Sequence, residues 1–277
     1  YAVDRIQGRA ATGPVQPEKQ ADPIIVHPDV RRMLMTMRAY NEGGRAFSTY
    51  VASFLDAAKF SDDADQKEYA SNMVQLLTPV AKAYLTDRSL ECCIAGQQVF
   101  GGHGYIREWG QEQLVRDTRI TQIYEGTNGI QSLDLMGRKI VGNNGKLFEQ
   151  FASEVAEFIE AEADNAELAD FVRPLSAAIE RLSDVTENVI NSYKDDRNAI
   201  GAASVEYLEL FGLTAYAFMW AKMAKVAAPK VSEDAFYQSK IKTAKFFYSR
   251  LLPKTVSLAE LVKSGSEDMM SLEADQF

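Results

Sequence analysis

The stretch LADFVRPLSAAIERLSDVTENVINSY, residues 168–193, decides the fold class of this chain. Its apolar side chains recur every three or four positions, at Phe171, Leu175, Ile179, Leu182, Val185, Val189 and Tyr193. This period is that of an amphipathic α-helix. Alternation with a period of two appears nowhere except over residues 121–124, so the chain is predicted to be all-α.

The same period predicts further helices on both sides of this stretch. Before it, helices are expected over residues 30–58 and 66–100. The first contains Gly43 and Gly44, where a helix can bend, and the second contains Pro79, which is expected to kink it. Around residues 168–193, amphipathic runs cover 147–159, 200–225 and 235–252, and residues 264–277 are expected to be loosely held.

A run of four turn-forming residues, Gly142-Asn-Asn-Gly145, is the clearest break in the chain. The excess of acidic over basic side chains lies almost entirely after this break. We therefore predict two domains, residues 1–142 and 146–277. The first is expected to resemble a four-helix bundle and the second to be a small helical bundle.

Composition excludes several classes of function. With 30 basic and 39 acidic side chains the net charge is −9, which disfavours binding to nucleic acid or to an anionic membrane. The longest uncharged apolar run, residues 210–221, is too short to cross a bilayer, so a cytoplasmic protein is expected. His27 and His103 are the only histidines and Cys92 and Cys93 the only cysteines, so no metal site is predicted. Because the first residue is Tyr1 and not Met, we expect that further residues precede it.

Two segments carry candidate chemistry, QQVFGGHGY at residues 97–105 and RDTRITQIYEGT at residues 116–127. The glycines follow a helix and no strand, so on their own they indicate a helix cap and turn and not a dinucleotide fingerprint. In the second segment Glu125 is a lone carboxylate in a largely apolar stretch, next to Tyr124. A carboxylate shielded from water becomes a stronger base and can act as a general base. On the residues alone, a purely structural role is the favoured interpretation.

The sequences QVFGGHGY (98–105), RDTRI (116–120) and IYEGTNGIQ (123–131), in this order and separation, closely resemble the C-terminal helical domain of acyl-CoA dehydrogenases. Residues 1–8, YAVDRIQG, resemble the helix end that in this family reaches a neighbouring subunit's flavin. The resemblance covers residues 1 to about 142. The remaining residues are similar to the additional helical domain of a longer bacterial branch, which includes enzymes acting on 3-methylthiopropanoyl-CoA.

The resemblance implies α,β-dehydrogenation of an acyl-CoA thioester with FAD as cofactor. Glu125 is then the base for the α proton, its backbone N–H polarises the thioester carbonyl, and Tyr124 and Gly126 contact the substrate. FAD contacts are implied for Arg5, Gln7, Gln98, Gly101, Gly102 and Thr127. Gly101 and Gly102 are expected to let the backbone approach closely where a Cβ would collide.

The resemblance also implies partners: an acyl-CoA substrate, electron-transfer flavoprotein as electron acceptor, and assembly into a homodimer or homotetramer through residues 29–142. Two other functions stay open. In an acyl-CoA oxidase molecular oxygen reoxidises the flavin, so peroxide formation per turnover distinguishes it. A non-catalytic helical oligomerisation module would form a stable oligomer without flavin.

Overall fold

The computed structural model describes residues 1–277, and all its regular secondary structure is helical. An isolated bridge between Ile6 and Pro23 is the only β-type pairing. The prediction of an all-α chain is confirmed. The α-helices are α1 (Pro28–Phe60), α2 (Ala64–Val99), α3 (Gly102–Tyr105), α4 (Gln111–Arg119), α5 (Asn128–Leu133), α6 (Lys146–Ala161), α7 (Ala169–Ser192), α8 (Ala199–Ala227), α9 (Ala235–Phe246) and α10 (Lys254–Lys263).

The chain divides into two compact units. The first unit contains residues 1–42 and 86–124, and the second contains residues 43–85 and 125–277. The division therefore passes through α1 and α2, which each contribute to both units. The domain boundary predicted at residues 142–146 stays a prediction.

The core of the first unit joins the N-terminal segment to α1 and α2. Ala2 and Ile24 are buried together with Met33 of α1 and Val99 of α2. These apolar contacts fix the otherwise irregular segment of residues 1–27 on the helices, because exposing its apolar side chains to water is unfavourable.

Helix α8 is the central element of the second unit. Every side chain from Leu210 to Ala221 is buried. A helix that is apolar on all sides is typical of such a position. The longest apolar run of the sequence is therefore a core helix, and no helix of the structure has the length and apolar character needed to span a membrane.

Glycines let neighbouring helices approach α8 closely. A Cβ on Gly43 of α1 would lie 2.7 Å from Cδ2 of Tyr216, and one on Gly44 would lie 2.7 Å from the Tyr216 hydroxyl. On α8 itself, a Cβ on Gly212 would lie 2.3 Å from Cδ2 of Tyr84. The glycine pair of α1 thus makes room for an aromatic ring within an uninterrupted helix.

The chain departs from the predicted elements in its shorter helices, because α3, α4, α5 and α10 were not predicted. Residues 120–122 form a single 3₁₀ turn, so the alternation over residues 121–124 did not indicate a strand. Helix α10 was not predicted, and it begins directly after Pro253 and buries Leu258 and Val262. A proline fits there because a helix's first N–H groups have no intrahelical partner.

Candidate functional site

A cleft of about 580 Å³ lies in the first unit. Five residues predicted to contact a cofactor line it: Arg5, Gln7, Gln98, Gly101 and Gly102. We call it the N-terminal cleft. Its lining includes His27 and His103 as well, and it contains no carboxylate.

Backbone hydrogen bonds hold the Arg5 side of this cleft in place. The N–H of Ile24 donates to the carbonyl of Arg5 at 2.8 Å, and the N–H of Gln7 donates to the carbonyl of Asp22 at 2.9 Å. The N–H of Arg5 donates in turn to the carbonyl of Tyr1 at 2.9 Å. Arg5 and Gln7 are therefore presented by an ordered segment, with their side chains exposed to solvent.

Asp22 organises the loop that follows Gly8. Its fully buried carboxylate accepts hydrogen bonds from the backbone N–H groups of Ala10 (2.9 Å), Val15 (2.9 Å) and Gln16 (2.8 Å). The bonds from Ala10 and Gln16, with that from Val15 and the nearby Arg9, hold the pKa of Asp22 below its ordinary value. This carboxylate therefore holds the backbone of the loop in place within the first unit.

An aromatic cluster borders the N-terminal cleft, and three of its members, Tyr1, Phe100 and His103, line the cleft. The Tyr1 ring stacks on Phe100 with centroids 4.2 Å apart, and the His103 ring stacks on Trp109 at 4.5 Å. The Tyr1 hydroxyl lies 2.8 Å from Nδ1 of His103. The partner of His103 is therefore the first residue of the sequence, 102 positions away.

The glycine turn after α2 leaves open space within this chain. Gly101 has φ +58°, and a Cβ on Gly101 or Gly102 would meet nothing within 4 Å. Within the chain the steric need for glycine is instead at Gly104, where a Cβ would lie 2.2 Å from the carbonyl oxygen of Gln97. A Cβ at Gly101 or Gly102 would therefore clash with no atom of this chain.

The second unit contains a tight turn at residues 125–128, here the Glu125 turn. Glu125 has φ +53°, a conformation that is uncommon for a residue other than glycine, and Gly126 follows with φ +84°. The Lys82 ammonium donates to the Gly126 carbonyl at 2.7 Å and to Oδ1 of Asn128 at 2.8 Å. The Gln131 side-chain amide donates to the Glu125 carbonyl at 3.2 Å. Side chains on both sides thus hold this unusual backbone.

The side chain of Glu125 is exposed and forms no ion pair or hydrogen bond within the chain. The expectation that apolar neighbours shield it is wrong for the chain on its own, since Tyr124 is itself 49% exposed. Its backbone N–H also has no hydrogen-bond partner within the chain. The turn therefore presents a carboxylate and a free backbone donor side by side.

The hydroxyl of Thr127 caps helix α5. Its Oγ1 accepts a hydrogen bond from the N–H of Ile130 at 3.3 Å, so it satisfies one of the donors that a helix leaves unpaired at its start. This contact explains a threonine at position 127 without a ligand. The predicted contacts of Thr127 with a cofactor, and of Tyr124 and Gly126 with a substrate, stay predictions.

The N-terminal cleft has the donors that a phosphorylated cofactor such as FAD requires. The Arg5 guanidinium has no carboxylate partner in the chain, and the side-chain amides of Gln7 and Gln98 line the same cleft. A guanidinium and two amides can donate hydrogen bonds to the oxygens of a diphosphate. No carboxylate lines the cleft, so none competes with the diphosphate for these donors. The residues present therefore fit the group.

Comparison with known proteins identifies the class to which this helical chain belongs. Residues 14–140 match the family model of the acyl-CoA dehydrogenase C-terminal domain, and residues 151–273 match the model described as acetyl-CoA dehydrogenase C-terminal like. The chain belongs to the acyl-CoA dehydrogenase family and corresponds to its C-terminal part. The resemblance identified from the sequence motifs is confirmed.

Individual relatives cover nearly the whole chain. It is 37% identical to the 3-methylmercaptopropionyl-CoA dehydrogenase of Ruegeria pomeroyi over 91% of this chain and 43% of the relative. It is 31% identical to the broad-specificity linear acyl-CoA dehydrogenase FadE5 of Mycobacterium tuberculosis over 100% of this chain and 48% of that protein. The chain thus spans about half the length of these curated relatives.

A solved structure shares the fold. The crystal structure of Caenorhabditis elegans ACDH-11 in complex with C11-CoA superimposes with a TM-score of 0.73 at 20% identity, over 99% of this chain and 43% of ACDH-11. This likeness supports the helical architecture of both units. At this level of identity it shows the fold alone.

Proposed function

We propose that this chain is the catalytic C-terminal part of an FAD-dependent acyl-CoA dehydrogenase, which introduces a double bond between the α and β carbons of an acyl-CoA thioester. Glu125 is the base that removes the α proton. The observation that carries the proposal is the Glu125 turn, where a free carboxylate and a free backbone N–H occur together on a backbone held by Lys82 and Gln131.

The roles of the turn follow from the chemistry of a carbon acid. An aliphatic carboxylate is a weak base, so the thioester carbonyl must be polarised while the proton leaves. The N–H of Glu125 is the donor of this chain for that carbonyl oxygen, because no acceptor within the chain uses it. Gly126 leaves room beside the turn for the thioester, and Tyr124 forms part of the wall of the acyl site.

Arg5, Gln7, Gln98, Gly101, Gly102 and Thr127 are the residues proposed to contact FAD. These residues would hold FAD, which when bound would supply the acceptor for the hydride that leaves the β carbon. The Arg5 guanidinium binds the diphosphate, and the open space at Gly101 and Gly102 admits the cofactor to the backbone. As family members place the flavin near a subunit boundary, we propose a homodimer or homotetramer in which Arg5 and Gln98 reach the flavin of a neighbouring copy.

The substrate is proposed to be a linear acyl-CoA, the class named for the mycobacterial relative; the Ruegeria relative's name specifies 3-methylmercaptopropionyl-CoA. Electron-transfer flavoprotein is the proposed electron acceptor, and we place the enzyme in the cytoplasm. Peroxide formation in the presence of oxygen would instead identify an acyl-CoA oxidase. The fold does not separate the two, because Arabidopsis thaliana acyl-CoA oxidase 1 shares it with a TM-score of 0.54 at 14% identity.

The base assignment is tested by Glu125→Gln in the full-length polypeptide. Turnover of an acyl-CoA panel with an artificial electron acceptor is expected to fall by a factor of about 10² to 10⁴, the usual contribution of a general base. Glu233→Gln is the matched control, because Glu233 is also exposed on a turn and unpaired. Normal turnover by a folded, flavin-containing Glu125→Gln protein would end the proposal.

The cofactor assignment is tested by Arg5→Gln, with the flavin absorbance of the purified full-length protein as the measurement. Loss of a charge-assisted hydrogen bond, worth about 1.5–3 kcal/mol, is expected to weaken FAD binding roughly 10- to 100-fold. Arg45→Gln removes an equally exposed guanidinium outside the N-terminal cleft and is expected to retain FAD. Equal FAD content in both variants would contradict the assignment.

A further inference from the structure

Lys82 of α2 contacts the Glu125 turn and the helix that follows it. Its ammonium donates to the Gly126 carbonyl at 2.7 Å and to Oδ1 of Asn128 at 2.8 Å. Gly126 belongs to the turn, and Asn128 is the first residue of α5. One ammonium group on α2 therefore joins the turn to the start of α5.

Asn128 adds a second attachment of this region to α2. Its side-chain amide donates to the carbonyl of Ala83, the neighbour of Lys82 on the same helix, at 3.2 Å. The Ser132 hydroxyl donates to the Asn128 carbonyl at 2.9 Å, within the first turns of α5. Helix α2 thus holds the Gly126 carbonyl and the start of α5 together.

The backbone held in this way has an unusual conformation at the residue proposed as the base. Glu125 has φ +53°, and a residue other than glycine keeps such a conformation only where its surroundings hold it. The Gln131 amide donates to the Glu125 carbonyl, and the Lys82 ammonium donates to the Gly126 carbonyl. Side chains therefore fix both of the peptide planes that follow Glu125.

The φ angle of Glu125 matters for the chemistry because it sets the direction of the backbone N–H relative to the Cα–Cβ bond. In the proposed reaction the N–H contacts the thioester carbonyl oxygen and the carboxylate contacts the α hydrogen. Only two carbon atoms of the substrate separate that oxygen from that hydrogen, so both contacts form together at one relative orientation of the two groups. A displacement of about 1 Å in such an arrangement can cost about 10²-fold in rate.

We propose that Lys82 is a positioning residue for the removal of the α proton. By holding the Gly126 carbonyl and Asn128, it keeps the N–H and the carboxylate of Glu125 in the relative orientation that the reaction requires. Lys82 acts through the backbone and not by contact with the substrate. This inference rests on the function proposed for Glu125.

Steady-state kinetics of Lys82→Met in the full-length protein, with an acyl-CoA and an artificial electron acceptor, test this role. Methionine keeps a long side chain on α2 and removes the ammonium. We expect kcat to fall about 10- to 100-fold and KM to stay within about threefold of the wild type, because the groups that bind the substrate are unchanged. Lys67→Met removes an exposed ammonium from the same helix and is expected to have the wild-type kcat.

Circular dichroism and flavin absorbance establish that each variant folds and contains its cofactor. Lys82→Gln has a shorter, polar side chain and serves as the test where Lys82→Met does not fold. Wild-type kcat in the folded Lys82 variant would overturn the proposal. A higher KM with unchanged kcat would overturn it as well, because Lys82 would then contribute to substrate binding and not to proton removal.

Glu125→Gln, measured alongside, separates this inference from the proposed function. Normal turnover by Glu125→Gln would remove the proposed function and the role of Lys82 with it. Loss of turnover in Glu125→Gln combined with the wild-type kcat in Lys82→Met would overturn the role of Lys82 alone.

Infrared difference spectroscopy tests the orientation of the N–H without turnover. Glu125→Gln removes the base and keeps the backbone N–H of residue 125, so butanoyl-CoA with an isotope label at the thioester carbonyl is expected to bind without reacting. The hydrogen bond from this N–H is expected to lower the stretching frequency of the labelled carbonyl. Adding Lys82→Met should return the frequency towards that of the free thioester, and an unchanged frequency would overturn the proposal.

Discussion

Asp22 is a buried carboxylate on which the loop of residues 8–22 depends. Replacing it with asparagine removes the negative charge that three backbone N–H groups and Arg9 contact. We therefore expect Asp22→Asn to lower the melting temperature at pH 7, measured by circular dichroism. Asp29→Asn, at an exposed acid on α1, is expected to leave it nearly unchanged.

The pH dependence of this difference has a defined sign. The pKa of Asp22 in the folded chain lies below its ordinary value of 3.8, so its stabilisation is complete above that value and is lost as the pH falls through the folded pKa. The gap between the melting temperatures of the wild type and Asp22→Asn should therefore narrow below about pH 4. A gap that stays constant from pH 7 to pH 3 would show that the charge of Asp22 is not the cause.

The candidate residues differ in how far the sequence could predict them. Glu125 was identifiable because its neighbours form a continuous motif. The exposure of its side chain depends on the groups that pack over the turn, and the local sequence does not specify them. Lys82, which holds the turn, was missed because it lies more than forty positions earlier, on α2. Tyr1 and His103 form a pair across the length of the first unit, and nothing in either local sequence indicates the other.

Close approach of α2 and α8 in the second unit depends on Gly212. A Cβ there would overlap the Tyr84 ring, which is itself buried, so neither group can move aside easily. Gly212→Ala is expected to lower the free energy of unfolding by about 1–3 kcal/mol, the usual cost of overpacking. Urea unfolding of the chain measures this quantity.

Gly201 on the same helix provides the matched control. A Cβ at this position meets nothing within 4 Å, so Gly201→Ala should only restrict the unfolded chain and improve helix propensity, raising the free energy of unfolding by about 0.5–1 kcal/mol. Opposite signs for the two variants are the expected result. Equal effects would mean that the contact between Gly212 and Tyr84 does not limit helix packing.

The positions of the longer helices could be predicted from the sequence, but the way the helices pack could not. The period of apolar residues located α1, α2, α6, α7, α8 and α9, because each buries at least one face, and residues 210–221 of α8 are buried on all sides. Helix α10 was missed because it has only ten residues and its apolar period is weak. Its stability comes from the burial of Leu258 and Val262 in the tertiary core. Similarly, Gly43 and Gly44 read as a flexible point, although tertiary packing places an aromatic ring against them.

Across the whole molecule, the residues predicted to carry the chemistry are found in both units. The N-terminal cleft of the first unit collects the guanidinium and amides predicted for FAD, and the second unit presents the Glu125 turn. The family resemblance predicts five FAD contacts from two distant segments, and the structure brings these residues to one cleft; their contact with FAD stays a prediction.

Removal of the α proton of an acyl-CoA thioester is the step proposed for Glu125, and exchange of that proton with solvent measures this step directly. Full-length wild-type, Glu125→Gln and Glu233→Gln proteins are incubated anaerobically with butanoyl-CoA in D₂O, and deuterium at the α carbon is followed by NMR. We expect exchange in the wild type and in Glu233→Gln, and exchange at least about 100-fold slower in Glu125→Gln. Exchange at the wild-type rate in a folded Glu125→Gln protein would contradict it.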